Sequence, residues 1–200
     1  MSIVEFKNWG GVIMMGGQGT RMGGRDKSQL ELNHQSFRNI LVERMQARFQ
    51  WLALCTGQKK DPDERLPQLL DELINGKQIG PAGGLLAASK WAGDLGLDGI
   101  VTIPVDTPIL PENIFERLIL ETSVSYVYHV NRSHWLHAAW PTEKFKLIEQ
   151  SIRNDKNYTL RCLHEAIGSH AVRFQTSQKG AFHNINTEKD LVRAQSYAPS

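Results

Sequence analysis

Cysteine is scarce in this chain. Only Cys55 and Cys162 occur among 200 residues, far apart and outside any CxxC or Cys/His cluster. That argues against a disulfide framework and a cysteine-based structural zinc site. Long apolar runs are missing too: none approaches the ~20 residues that cross a bilayer. The opening MSIVEFKNWG lacks the basic segment and apolar core of a secretory signal. The expectation is a reduced, cytoplasmic setting. Charge of one sign is also lacking: 23 Lys and Arg against 21 Asp and Glu leave a formal net charge of +2. That is too near neutrality for bulk binding to nucleic acid or a membrane surface, so any attraction for a polyanion comes from local clustering. No repeat, low-complexity tract or linker divides the sequence, which reads as a single domain over 1–200.

What is there is an alternation of short apolar runs with amphipathic stretches. GVIMM (11–15), WLALCT (51–56) and GIVTIPV (99–105) read as buried strands. Ser36 caps a helix with Phe37, Ile40, Leu41 and Met45 on one face. QLLDELI (68–74) fits either strand or helix, and GPAGGLLAASKWAG (80–93) passes from a glycine turn into a small-residue helix. Pro111 opens a helix over PENIFERLIL, and VSYVYHV and WLHAAW are strands parted by the polar NRSH (131–134). Phe145, Ile148 and Ile152 mark one later helix, and Leu160, Leu163 and Ile167 another. HAVRF (170–174) is a strand, and Thr187 caps a last helix.

Strand–helix alternation over the first 120 residues predicts right-handed βαβ units and a mostly parallel sheet covered on both faces. The expected fold is α/β, a Rossmann-like three-layer α/β/α sandwich. In such folds ligands sit beyond the carboxyl ends of the strands. Two stretches fall on that rim: GGQGTRMGGRDK (16–27) after the first strand and DTP (106–108) after the central one.

Five of the twelve residues in GGQGTRMGGRDK are glycine, with Arg21, Arg25 and Lys27 among them. A dinucleotide-binding turn needs GxGxxG and an acidic residue closing the second strand. Here Gly17, Gly19 and Gly23 are one residue too widely spaced, and LCTGQKK ends in lysines. A Walker loop fails because Arg25 and Asp26 separate Gly24 from Lys27-Ser28. A double glycine followed by Arg21-Met22-Gly23 and Lys27 fits a loop whose amides converge on phosphate oxygens. Arg21 adds a planar fork and Lys27 a mobile point charge. The plain alternative is a surface turn with solvated basic residues.

GVIMMGGQGTRMGGRDK resembles the signature loop of nucleotidyltransferases that activate a phosphate by transferring a nucleoside monophosphate. Within that superfamily the chain is most similar to the molybdenum cofactor guanylyltransferases, which join GMP to molybdopterin. Gly16-Gly17 resembles that branch, where cytidylyl-transferring relatives tend to place Ala-Gly. GPAGG (80–84), IPVDTPILP (103–111) and FHNINTEKDL (182–191) line up in order, as does WLHAAWP, so the resemblance spans nearly the whole length. It implies transfer of GMP from GTP to the phosphate of molybdopterin, with release of pyrophosphate and dependence on Mg²⁺. It implies that Met14, Met15, Gly16, Gly17, Lys27, Asp71 and Asp106 contact GTP, and that Arg21, Lys27 and Asp106 carry catalysis. Asp106 would hold the metal, and Asn184 and Asn186 would lie near it or near the acceptor phosphate. GTP and the molybdopterin cofactor are the implied substrates, with the molybdenum-inserting enzyme and molybdoenzyme apoproteins as further partners, and neither nucleic acid nor membrane.

Some features depart from the family pattern. The spacing from Asp71 to Gly80 is longer, which requires an insertion. Cys55 stands where relatives often carry Asn, and a thiol is the poorer hydrogen-bonding group. Met14-Met15 replace a frequent Leu-Ala. Asp106 also suits an ordinary turn, and Asn184 and Asn186 suit capping before TEKDL. Trp135 and Trp140 fit either a pterin stack or the core, while His134, His137 and His183 receive no catalytic task. Functional alternatives are the same chemistry with CTP or a sugar 1-phosphate, or a non-catalytic nucleotide-binding regulator or cofactor chaperone.

Overall fold

The first apolar run carries no polar side chain because helices cover it on both faces. The computed structural model describes residues 6, 8–16, 27–59, 61, 65–154 and 158–197. In it Gly10 through Met14 are all buried, the continuous pattern of a central parallel strand. This is β1 (Trp9–Met14). A 3-10 turn (Lys27–Gln29) leads to a small hairpin of β2 (Glu31–Leu32) and β3 (Gln35–Ser36), then α1 (Phe37–Gln46) and β4 (Trp51–Gly57). Next come β5 (Gln68–Leu70), a hairpin of β6 (Leu73–Ile74) and β7 (Lys77–Gln78), α2 (Pro81–Asp94) and β8 (Gly99–Pro104). The rest of the chain forms α3 (Ile114–Ile119), β9 (Ser125–His129), β10 (Arg132–Pro141), α4 (Phe145–Asn154), α5 (Leu160–Ala166), β11 (His170–Phe174) and α6 (Glu188–Gln195).

Seven strands make the main sheet in the order β11-β9-β10-β8-β1-β4-β5. β1 pairs in parallel with β4 and β8, and β4 with β5. β10 runs antiparallel to both of its neighbours, β8 and β9, while β9 and β11 are parallel. One face of the sheet buries Ile13, Leu54, Val101 and Ile103 against Phe37, Leu41 and Met45 of α1 and Ile114, Phe115 and Leu118 of α3. The other buries Val12, Cys55, Ile100 and Trp140 against Leu85 and Ala88 of α2, Ile148 and Ile152 of α4 and Leu163 of α5. The three-layer α/β/α sandwich expected from the alternation is therefore present. No helix among the described residues is long and apolar enough to cross a membrane.

Local chemistry sets the element ends. The Ser36 side chain accepts from the Asn39 amide at the start of α1, and Thr187 with Asp190 forms a capping box on α6. QLLDELI resolves as strand: β5 is followed by a hairpin whose Asn75-Gly76 turn has φ of 51° and 73°, the two-residue turn such pairs favour. Two expectations are corrected. Pro111 does not open α3, which begins at Ile114 with Asn113 as its N-cap; the Pro111 carbonyl instead accepts from the Ile114 amide. NRSH is not a loop, since β10 already begins at Arg132. The turn is Val130-Asn131, both with positive φ, as a tight hairpin of this hand requires.

Candidate active site at the carboxyl edge of the sheet

Main-chain hydrogen bonds hold the ends of β1, β4, β5 and β8 together at one rim. The amides of Met15 and Gly16 both donate to the Cys55 carbonyl, at 2.7 and 3.2 Å. The Val105 amide donates to Met14 O at 3.0 Å, and the Asp71 amide to Gly57 O at 2.8 Å. Met14, Met15, Gly16, Asp71 and Asp106, expected at the site from sequence, therefore all lie on this edge. Gly17 and Arg21 lie outside the described residues. Lys27 begins the 3-10 turn that follows the glycine stretch, and its side chain is likewise outside the described part.

Asp71 is the best-defined polar group where the ends of β1, β4 and β5 meet. A methyl group added at Gly84 would lie 3.0 Å from Asp71 Oδ1, 2.7 Å from Met14 Cε and 3.5 Å from Cys55 Sγ. One added at Gly16 would lie 3.5 Å from Asp71 Oδ2 and 3.3 Å from Gly57 Cα. Absent side chains thus bring the first strand end, the start of α2 and this carboxylate into contact. Burial raises the Asp71 pKa above the usual carboxylate value. The β6–β7 hairpin lies between Asp71 and Gly80, where the resemblance calls for an insertion. The exposed Gln58 was not singled out from sequence; its Nε2 donates to the Asp71 carbonyl at 2.8 Å and fixes the main chain there.

Cys55 faces the start of α2. Its thiol is buried and donates to the Gly84 carbonyl at 3.2 Å. Burial, and then the nearby Asp71 charge, raise its pKa well above the ordinary thiol value. A neutral thiol tied to α2 packs the helix start.

Asp106 follows β8 and is half-buried. Its Oδ1 accepts from the Thr107 hydroxyl at 3.2 Å, and its carbonyl accepts from the Ile185 amide at 2.8 Å. Ile185 is fully buried, with the half-buried Asn184 and Asn186 on either side. The HNIN segment, for which the resemblance implies a place near the metal or the acceptor phosphate, is thereby brought to the end of β8. The capping duty weighed against that role is real in the main chain: the amides of Asn186 and Thr187 donate to Asp190 Oδ2 at 3.1 and 2.9 Å.

A hard divalent cation fits this edge in one particular way. The described residues contain no cluster of three or more His, Cys, Asp and Glu able to hold a metal. Asp106 contributes one half-buried carboxylate at the end of β8, and Mg²⁺ is commonly held by one or two carboxylates together with substrate phosphates.

The aromatic candidates divide. Trp140 is fully buried and donates Nε1–H to Thr102 Oγ1 at 2.9 Å, so it belongs to the core. Trp135 is half-buried against Tyr126, with ring centroids 4.4 Å apart. His134 and His137 are buried around Phe182.

A mostly parallel α/β sheet with a glycine-rich stretch after its first strand, a carboxylate after its central strand and a second carboxylate after β5, packed against a helix start, is the layout of a nucleotidyltransferase. The family model for the MobA-like NTP transferase domain matches residues 11–171. A molybdenum cofactor guanylyltransferase of Acidiphilium cryptum is 31% identical over 186 residues, covering 92% of this chain and 92% of its own. One from Cereibacter sphaeroides is 32% identical over 197 residues, covering 93% of this chain and 95% of its own. The fold is shared with the crystal structure of molybdopterin-guanine dinucleotide biosynthesis protein A from Archaeoglobus fulgidus, with a TM-score of 0.70 at 17% identity, over 94% of this chain and 97% of that one. The chain belongs to the MobA-like NTP transferase domain family.

Proposed function

We propose that this chain, acting over 1–200 as one nucleotidyltransferase domain, transfers GMP from GTP to the phosphate of a molybdopterin-type cofactor. The observation that carries the reading is the single rim on which Asp71, Gly16 and Gly84 meet, with Asp106 and the Asn184–Asn186 segment beside it. The relatives named molybdenum cofactor guanylyltransferase support the choice of substrates.

On this reading the nucleoside lies over the ends of β1, β4 and β5. Asp71 offers two acceptor oxygens to donor groups of guanine or ribose, and Gly16 and Gly84 leave room for a close approach. The amides of the glycine stretch hold phosphate oxygens, with Gly17 in that cradle. Arg21 and Lys27 neutralise the β- and γ-phosphates as they depart. Asp106 is the residue that would hold Mg²⁺, which when bound neutralises charge on the triphosphate and the leaving pyrophosphate. Asn184 and Asn186 orient the acceptor. An acceptor phosphate oxygen, already ionised at neutral pH, attacks the α-phosphorus in line, and the bond to the bridging oxygen of pyrophosphate breaks. No protein nucleophile is required; positioning and electrostatics supply the catalysis. The product is a cofactor dinucleotide, so a molybdenum-inserting enzyme and molybdoenzyme apoproteins are the partners this chemistry calls for, in the cytoplasm.

The test is pyrophosphate release by the purified protein with Mg²⁺, comparing GTP and CTP, with and without acceptor. Release with GTP that requires the acceptor is expected. Preference for CTP, or tight GTP binding without release, overturns the assignment.

A further inference from the structure

Phe182 lies just ahead of the asparagine segment, inside a cage of rings. Its side chain is 2% exposed. The ring centroids of His129, His134, His137 and Phe174 lie 5.2, 5.4, 5.5 and 5.3 Å from its own. His129 and Phe174 close β9 and β11, and His134 and His137 lie within β10. The main chain of Phe182 has φ of 60°, a left-handed conformation that is an outlier for a bulky residue and persists only where its surroundings impose it. Its amide donates to the Ile109 carbonyl at 3.1 Å, and three residues later the Ile185 amide donates to Asp106 O at 2.8 Å. Before it, Gly180 packs so tightly that a methyl group there would lie 2.8 Å from the Tyr197 ring. The segment therefore touches the 106–109 stretch at two main-chain points, and one caged ring stands between them and the sheet.

The cage is costly in its own right. His137 is 2% exposed, and its Nε2 has no hydrogen-bond partner among the described residues. A buried polar nitrogen left unpaired is rare and unfavourable. Packing alone would be better served by an apolar residue there.

We propose that Phe182 is a positioning residue for the acceptor half of the site: its caged ring fixes Asn184 and Asn186 against Asp106, and the nucleotide half at β1, β4 and β5 does not depend on it. The inference rests on the GMP-transfer reading for its kinetic consequence. Its structural consequence can be read without any substrate.

Two variants, Phe182→Leu and Phe182→Ala, are compared with the native protein by amide hydrogen exchange and by kinetics. Exchange at Ile185 is expected to rise at least tenfold, while the Met15 amide, held by Cys55 O, keeps its protection. With Mg²⁺ present, kcat/KM for the acceptor is expected to fall roughly 10–100-fold, the scale of an ångström-sized misplacement, with GTP Kd changed less than twofold and Leu milder than Ala. Unchanged Ile185 exchange in a folded variant overturns the proposal. Loss of GTP affinity equal to the loss on the acceptor does so too, because the effect is then global. If Phe182→Ala does not fold, the Leu variant supplies both readings. A native protein that releases no pyrophosphate would sink the GMP-transfer reading, and the exchange comparison would still decide whether Phe182 holds the segment.

Discussion

Gly84 and Asp71 are in contact across the start of α2: a methyl at 84 would stand 3.0 Å from Asp71 Oδ1. The flexible end of Met14, 2.7 Å from the same point, can move aside, but the carboxylate would be displaced from its place over the rim. Gly84→Ala is therefore expected to weaken GTP binding about tenfold, or about 1.4 kcal/mol, with little change in thermal midpoint. Gly83→Ala is the contrasting variant, because its methyl would meet the Glu72 carbonyl at 2.6 Å. A backbone atom cannot yield cheaply, so a stability loss of about 1–3 kcal/mol is expected. Calorimetric titration and thermal melts of both variants check the pair.

Asp71→Asn removes a charged acceptor. Hydrogen bonds to charged groups contribute about 1.5–3 kcal/mol, so GTP affinity should fall roughly 10–150-fold. Titration with GTP and CTP measures it, and an unchanged GTP Kd would remove Asp71 from the nucleotide site.

Lys27→Ala and Asp106→Asn should each lower turnover by about 10²–10³-fold, the usual loss for one electrostatic stabiliser of a transition state. The fold should persist, since the bond joining Asp106 to the C-terminal segment uses its carbonyl rather than its carboxylate. Far-ultraviolet dichroism and pyrophosphate release report the two effects separately. Near-native turnover of either variant would remove that residue from the mechanism.

Acid should destabilise the protein well above the carboxylate range. Burial lowers the pKa of His134 to about 4, with Arg132 and His129 adding to the effect. Burial also takes His164 to about 4, opposed by its bond to the Trp135 carbonyl. His137 falls well below its ordinary 6.5, through burial and then its neighbour His134. Folded values below the unfolded one mean that the unfolded chain binds more protons. The stabilisation is complete above about pH 6.5 and is lost as pH drops toward 4, at about 1.4 kcal/mol per pH unit for each such histidine. Urea midpoints at pH 7.5, 6 and 5 should fall in that order, and a midpoint constant from 7.5 to 5 would contradict the burial of these rings.

The central strands were legible from sequence because both of their faces are covered, leaving apolar runs such as GVIMM and GIVTIPV without interruption. Ser36 and Thr187 were legible because caps are local chemistry. QLLDELI was ambiguous because β5 is only three residues long and lies at the sheet edge, half-exposed. The hairpin after it carries a clear turn signal in Asn75-Gly76. α3 starts late because only six residues are helical. Asp71, Asp106 and the HNIN segment were found through resemblance. Gln58 carried no local signal, since its role depends on a carbonyl thirteen residues away. Phe182 read as one more apolar residue, because the rings that surround it come from distant strands.

The reversed direction of β10 decides where its bend lies. A strand laid against its neighbours presents its beginning, rather than its finish, to the rim, so the Val130-Asn131 bend opens at the same edge as the end of β8, while β1, β4 and β5 pair with neither β9 nor β10. On the GMP-transfer proposal, lengthening or rewriting the bend would change the edge beside Asp106 and leave the pairing of β1, β4 and β5 as it was.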